Sequence, residues 1–254
     1  MQDNNAPAQR LRLDQLLVER GFFASRSRAR DAIGRGTVRV DGIVVTKPGA
    51  PTAGAARIEV SDPASRYVSR AALKLIAGLD HFGIDPADTT ALDIGASTGG
   101  FTQVLLERGA KRVIAVDVGH GQMHESLTGD VRVENHEGLN ARELNRDHIG
   151  DQPFGLVVSD VSFISLKLAL PPALDLADAD SHCVLLVKPQ FEAGKAAIGK
   201  GGLLRDPAQA EKIAIELEAW LNTLTGWRSL GFCPSPIEGG DGNKEFLLGG
   251  KKDK

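Results

Sequence analysis

Residues 90–117 read as strand, glycine turn, helix and second strand, a succession that few folds accommodate. Residues 90–94 form a short apolar run that stops at Gly95, residues 101–108 carry apolar side chains at helical spacing, and residues 111–116 form a second buried run closed by Asp117. Further strands are predicted at 131–134, 154–159, 183–187, 227–232 and 246–248, with helical segments between most of them. Seven strands alternating with helices predict an α/β fold, an open, mainly parallel, Rossmann-like sheet. In such sheets ligands bind beyond the carboxyl ends of the strands, and Asp117, Asp160 and Lys188 fall there.

The turn itself is Gly95-Ala96-Ser97-Thr98-Gly99-Gly100, followed by Phe101. It lacks the G-x-G-x-x-G spacing that brings a backbone against a pyrophosphate, so dinucleotides are disfavoured. S-adenosylmethionine has a ribose and an adenine but no phosphate. Glycines here let the backbone approach its methionine moiety, while Asp117, 22 residues past Gly95, is placed to hold ribose hydroxyls.

The amino-terminal part has a different character. The formal net charge of the whole chain is -3, yet residues 10–50 carry nine basic side chains against four acidic ones, so the basic charge is concentrated there. Such an excess suits nucleic acid, because arginine and lysine contacts to phosphates dominate affinity. Leu13, Leu16, Leu17 and Phe22 predict a first short helix ended by Gly21. Ser25 offers the cap of a second helix, with Ala29, Ala32 and Ile33 inward and Arg26, Arg28, Arg30 and Arg35 outward. Asp41-Gly42 between residues 37–40 and 43–45 predicts a hairpin. The segment SRSRARDAIGRGTVRVDGIVVTKPG in this order of elements resembles the small RNA-binding domain named after ribosomal protein S-four. That resemblance covers residues 10–60 and implies that Arg26, Arg28, Arg30 and Lys47 lie near RNA phosphates. Residues 1–9 are predicted to be a disordered tail, 61–68 a linker that is small, polar and broken by proline, and 69–250 the second domain.

Lys74, Asp160, Lys188 and Glu245 form the second set of interest. Methylating a ribose 2′-hydroxyl requires an oxygen of very high pKa to attack in line, so a site must orient the hydroxyl and ease loss of its proton. Lys188 follows the apolar run VLLV. A second ammonium such as Lys74 lowers its proton affinity, whereas Asp160 and Glu245 raise it and fix its direction. Neutral Lys188 as general base and charged Lys188 as an orienting group both satisfy the requirement.

Ser69 to Leu75, then DIGASTGGFTQ, SDVSFISL, LLVKPQFE and GNKEF, in this order, resemble the ribosomal RNA 2′-O-methyltransferases called haemolysin A or TlyA, whose catalytic domain is shared with the FtsJ and RrmJ type. The resemblance spans nearly the whole chain. It implies a seven-stranded methyltransferase sheet that uses S-adenosylmethionine to methylate cytidine in ribosomal RNA or ribosomal subunits. It places the catalytic Lys-Asp-Lys-Glu set on Lys74, Asp160, Lys188 and Glu245, and the cofactor loop on Gly95, Ala96, Ser97, Gly99, Gly100 and Phe101 with Asp117. Asn140 and Arg142, in LNAR, match a family element near the adenine, and Leu73 departs from the tyrosine usual in the FtsJ pattern.

Other chemistries fit less well. Asp160 is followed by Val161 and Ser162 rather than by the paired prolines of base-amine methylation, and Cys183 and Cys233 sit in or beside apolar runs as inert packing, not as a nucleophile, a disulfide or a metal site. Phe163 reads as a core residue, with stacking on a base as the other reading. Lys195, Lys200 and Arg205 occupy a Gly-rich segment. No apolar run approaches a membrane span or a signal peptide, so a cytoplasmic location is expected. The alternatives are a non-catalytic RNA-binding or ribosome-assembly factor and a membrane-active haemolysin.

Overall fold

In the computed structural model residues 10–240 and 242–253 are described, and the predicted tail at 1–9 lies outside them. The chain divides into two compact units, one ending at Arg66 and one beginning at Tyr67.

The first unit consists of β1 (Arg10–Arg12), α1 (Leu13–Glu19), α2 (Arg26–Gly34), β2 (Val38–Val40), β3 (Ile43–Val44), β4 (Pro51–Ala53) and β5 (Ile58–Val60). Leu13, Leu17, Phe23, Ala29, Ala32, Ile33 and Val38 make its core. Phe23 is buried while Phe22 is 41% exposed, so the inward aromatic is one residue later than the helical spacing predicts. The reason is the turn at Gly21, whose φ of +75° ends the helical periodicity before the aromatic pair. Ser25 caps α2 by accepting from the Arg28 N–H. Asp41 and Gly42 both have positive φ in the hairpin between β2 and β3. Arg35 departs from the outward reading: its guanidinium pairs with Asp31 at 2.9 Å and with Asp62 at 2.7 Å, which ties residue 62 back onto α2.

The second unit is a seven-stranded sheet in the order β11-β12-β10-β9-β6-β7-β8. Its strands are β6 (Thr90–Ile94), β7 (Arg112–Asp117), β8 (Val133–Glu137), β9 (Leu156–Ser159), β10 (His182–Val187), β11 (Trp227–Pro234) and β12 (Phe246–Lys252). The five strands from β10 to β8 run parallel, and β12 joins β10 and β11 antiparallel. Both faces are buried, which is why the central strands read as unbroken apolar runs. Leu92, Val157 and Leu185 face one core, and Ala91, Val158 and Leu186 face the other. α3 (Ala72–Phe82) and α4 (Gly100–Glu107) cover the second face.

Several strand boundaries differ from those predicted: β9 starts at Leu156 rather than at 154, β11 runs to Pro234 rather than to 232, and the shifts in β8 and β12 have a visible cause. β8 starts at Val133 because the Asp130 carboxylate accepts from the Arg132 N–H at 2.9 Å and holds the preceding residues in a turn. β12 continues past Leu248 through Gly249 and Gly250, where a Cβ would come within 2.7 Å of the Phe82 ring and of Leu221 respectively. Pairing thus continues to Lys252. No described helix is long and apolar enough to cross a membrane.

Candidate active site

The site grows from three strand ends. β6 is followed by Gly95, with a φ of +84°, and a Cβ there would lie 3.0 Å from the backbone of Asp160. Only glycine lets this turn rest against the loop that follows β9. Ser97 adopts a φ of +46° and its N–H donates to Asp117 Oδ2 at 2.8 Å, while the Gly119 N–H donates to Oδ1 at 2.7 Å. Asp117 therefore clamps the glycine turn to the end of β7, and each of its oxygens keeps a further acceptor position. Gly99, with a φ of +92°, leads into α4. Asn140 accepts from the Arg142 N–H at 3.1 Å and so caps the short turn Ala141–Glu143.

Between these elements lies a cavity of 470 Å³, to which Gly95, Ser97, Asp117, Asn140 and Arg142 contribute beside apolar Leu139, Val161 and Ile164. A smaller cavity of 140 Å³ continues from it, walled by Ala96, Gly100, Phe101, Ser69 and Lys188. The two share Gly95, Ser97, Asp160 and Ser162. All the predicted cofactor-loop residues except Gly99 thus line one cavity or the other, and Gly99 shapes the turn from behind.

The four candidate catalytic residues form two ion pairs. Lys188, directly after β10, lies 2.6 Å from Asp160 Oδ1, and its Nζ donates to Ser162 Oγ at 2.7 Å. The approach to Asp160 is off the hydrogen-bonding angle, so Oδ1 has a charge beside it but no aligned donor. Lys74 Nζ donates to Glu245 Oε2 at 2.5 Å, with both residues buried. Val187 pairs with Phe246 across β10 and β12, so Lys188 and Glu245 leave that ladder side by side. Lys74 reaches the same rim from α3. One turn further along this helix, a Cβ on Gly78 would stand 2.6 Å from Val184, so glycine lets the helix lie close on β10. The spacing of four residues puts Lys74 on the same, sheet-facing side.

Three residues to which the sequence alone assigns no role belong to this neighbourhood. Ser162 contacts Lys188, and its small polar side chain two places after Asp160 was the available signal. Asp93 is fully buried in β6; burial, reinforced by the negative charges of Asp160 and Asp117 and opposed by a hydrogen bond from Thr102, pushes its carboxyl up to about 7. Glu192 accepts from Ser165 Oγ at 2.5 Å and from the Leu166 N–H at 2.8 Å, which ties the loop after β9 to the segment after Lys188. Burial raises its pKa against those two bonds. Phe163 is 90% exposed, so the core reading of this residue fails. Its φ of +64° turns the side chain out of the loop. Cys183 and Cys233 are buried, and burial raises both thiols.

In the first unit, Arg26, Arg28, Arg30 and Lys47 are exposed. Arg26 is partly engaged, because its guanidinium meets the buried Asp14 at 3.0 Å beside Arg12. Burial opposes ionisation of Asp14, but the two arginines outweigh it and hold the carboxyl below its usual range.

The family model for FtsJ-like methyltransferases matches residues 67–252, and that for the S4 domain matches residues 11–51. A protein of Mycobacterium tuberculosis named 16S/23S rRNA (cytidine-2′-O)-methyltransferase TlyA is 44% identical over 95% of this chain and 90% of its own length. This chain belongs to the TlyA family of FtsJ-like methyltransferases. Hemolysin A of Brachyspira hyodysenteriae is 40% identical over 93% of this chain and 98% of its own. A solved Streptococcus thermophilus structure described as a hemolysin covers 97% of this chain and 90% of its own at a TM-score of 0.73 and 37% identity. In this TlyA-family chain the methyltransferase match begins where the second unit begins, and it contains both ion pairs and both cavities.

Proposed function

We propose that this chain transfers a methyl group from S-adenosylmethionine to the ribose 2′-hydroxyl of a cytidine in ribosomal RNA. The observation that carries the reading is the pair Lys188–Asp160 opening onto the same small cavity as the glycine turn, with the pair Lys74–Glu245 at the neighbouring strand end. The name of the Mycobacterium tuberculosis relative supports cytidine 2′-O-methylation of rRNA.

The larger cavity fits the cofactor. Leu139, Val161 and Ile164 give apolar walls for an adenine beside Asn140, and the free acceptor positions of Asp117 suit ribose hydroxyls. Gly95, Ala96, Ser97, Gly100 and Phe101 then flank the methionine part, and Gly99 lets the turn close. When bound, S-adenosylmethionine supplies a methyl group made electrophilic by its sulfonium. At the acceptor, Lys188 Nζ is fixed by Ser162 and Asp160 and holds the 2′-oxygen. With Lys188 held as an ammonium against the 2′-oxygen, the hydroxyl proton passes to the Asp160 carboxylate beside it, and the pair Lys74–Glu245 stands at the neighbouring strand end. Orientation of this kind removes entropy from the barrier before reaction begins. Residues 10–60 serve as the RNA-binding domain through Arg26, Arg28, Arg30 and Lys47, residues 61–68 as the connector and 69–250 as the catalytic domain. Ribosomal RNA as substrate implies a cytoplasmic location.

The test is transfer of labelled methyl from S-adenosylmethionine to isolated small and large ribosomal subunits lacking the modification. Alkali-resistant label in RNA is expected with the wild-type chain, falling about 10²- to 10⁴-fold with Lys188→Ala. Equal labelling by the variant would refute the assignment of Lys188.

A further inference from the structure

The geometry points to Glu192 as a positioning residue for methyl transfer: it closes a ring between the loop after β9 and the turn after β10, and so holds Ser162 against Lys188. The inference rests on the reading of this chain as a 2′-O-methyltransferase. Glu192 lines neither of the cavities that hold the glycine turn and Asp160, so any effect it has on the reaction passes through other residues.

The ring consists of two short segments bonded to each other at both ends. Lys188 directly precedes the short helix Pro189–Glu192, and its carbonyl accepts from the Phe191 N–H at 2.9 Å, so Glu192 stands one helical turn beyond it. Opposite, residues 160–166 run from Asp160 to the start of the short helix Leu166–Ala169. At the near end Lys188 Nζ donates to Ser162 Oγ at 2.7 Å and lies 2.6 Å from Asp160 Oδ1. At the far end Glu192 Oε2 accepts from Ser165 Oγ at 2.5 Å and Oε1 accepts from the Leu166 N–H at 2.8 Å. The ladder between β9 and β10 stops at Ser159 and Leu185, so strand pairing does not fix these two segments against each other.

Capping of the helix Leu166–Ala169 is the simpler role for Glu192, but that position is already served. Ser165 caps the helix by accepting from the Lys167 N–H at 3.2 Å. Burial also opposes ionisation of Glu192, and its two hydrogen bonds only partly offset that opposition, a cost that a local cap on the surface avoids. What the acid adds is a link across the active site. An ammonium has three N–H groups and turns freely about its stem; with one N–H given to Ser162 and Asp160 alongside, the direction of the rest is set. If the loop drifts, Ser162 leaves Lys188 and that direction is lost. Misplacement by about 1 Å is enough to cost about 10²-fold in rate.

The experiment is a double-mutant cycle on kcat, using the full chain on ribosomal subunits lacking the modification: wild type, Glu192→Ala, Ser162→Ala and the double variant, each also titrated with S-adenosylhomocysteine by calorimetry. Each single change is expected to lower kcat at least about 10-fold while S-adenosylhomocysteine binds within about three-fold of wild type, because Asp117, Asn140 and the glycine turn are untouched. The double variant should lie within about two-fold of the slower single variant, since both changes open the same ring. Losses that multiply, to about 100-fold or more, would mean that Glu192 acts independently of Ser162 and would overturn the inference, as would an unchanged kcat in Glu192→Ala. Glu192→Gln should restore kcat to within about three-fold of wild type, because its amide oxygen accepts from the Leu166 N–H and its amide nitrogen donates to Ser165 Oγ. A glutamine variant as slow as the alanine one would also contradict the ring. If Glu192→Ala does not fold, Ser165→Ala takes its place in the cycle under the same criterion. No label from wild type on either subunit would instead overturn the underlying methyl-transfer reading, and the positioning role with it.

Discussion

Lys74 and Glu245 show how one residue pair carries both structural and chemical demands. Both side chains are buried, so removing one leaves the other charge without its partner. Lys74→Met is expected to lower the unfolding free energy by about 3–5 kcal/mol in urea titrations. Adding Glu245→Leu should recover most of that stability while leaving methyl transfer absent, which separates folding from chemistry. Asp93 gives a pH test. Its folded pKa of about 7 lies above the ordinary carboxyl value, so the stability it contributes is present below about pH 4 and lost as pH rises through about 7. Asp93→Asn keeps an oxygen for Thr102 and never ionises. Its melting temperature, relative to wild type, should therefore rise between pH 4 and pH 7, and an unchanged difference would contradict the burial argument. The residues of the two ion pairs were legible because a spaced set of Lys, Asp, Lys and Glu matches a known pattern. Asp93 was not, since an acid inside an apolar run gives no sign of how many charges and carbonyls will surround it.

At the scale of elements, the glycine turn sets the distance between β6 and the loop after β9. Gly95→Ala would place a methyl 3.0 Å from the Asp160 backbone in a backbone region that alanine avoids. The expected result is a loss of about 1–3 kcal/mol in stability, together with at least about 10-fold weaker S-adenosylhomocysteine binding, read by thermal melts and calorimetry. Turn chemistry and unbroken apolar runs made strand, turn and helix readable here. The end of β12 was unreadable for the opposite reason. Gly249 and Gly250 look like a strand terminator in isolation, yet they are needed because Phe82 and Leu221 occupy the space a side chain would take. Phe163 belongs to the same class, since apolarity suggested a core place and only the loop's backbone turn puts the ring outside.

At the scale of the whole molecule, the chain divides its work between a basic unit and a unit of opposite balance. With a total charge of -3, the positive excess of residues 10–50 is outweighed elsewhere, so overall charge alone would hide an RNA-binding function. Arg30→Ala with Lys47→Ala is expected to weaken binding to ribosomal subunits and to lower the slope of log affinity against log salt by about 1.5, the loss of two phosphate contacts. An unchanged slope would place RNA elsewhere on the chain. The composition shift near residue 61 was visible in sequence, whereas the return of Asp62 onto Arg35 depends on a tertiary contact that no local pattern announces. The most direct measurement of the central claim is mass spectrometry of nucleosides from ribosomal RNA treated with this chain and S-adenosylmethionine. The account requires 2′-O-methylcytidine, with the added methyl on the ribose fragment and absent from RNA treated with Lys188→Ala. A methyl group on the cytosine ring, or on another nucleoside, would contradict it.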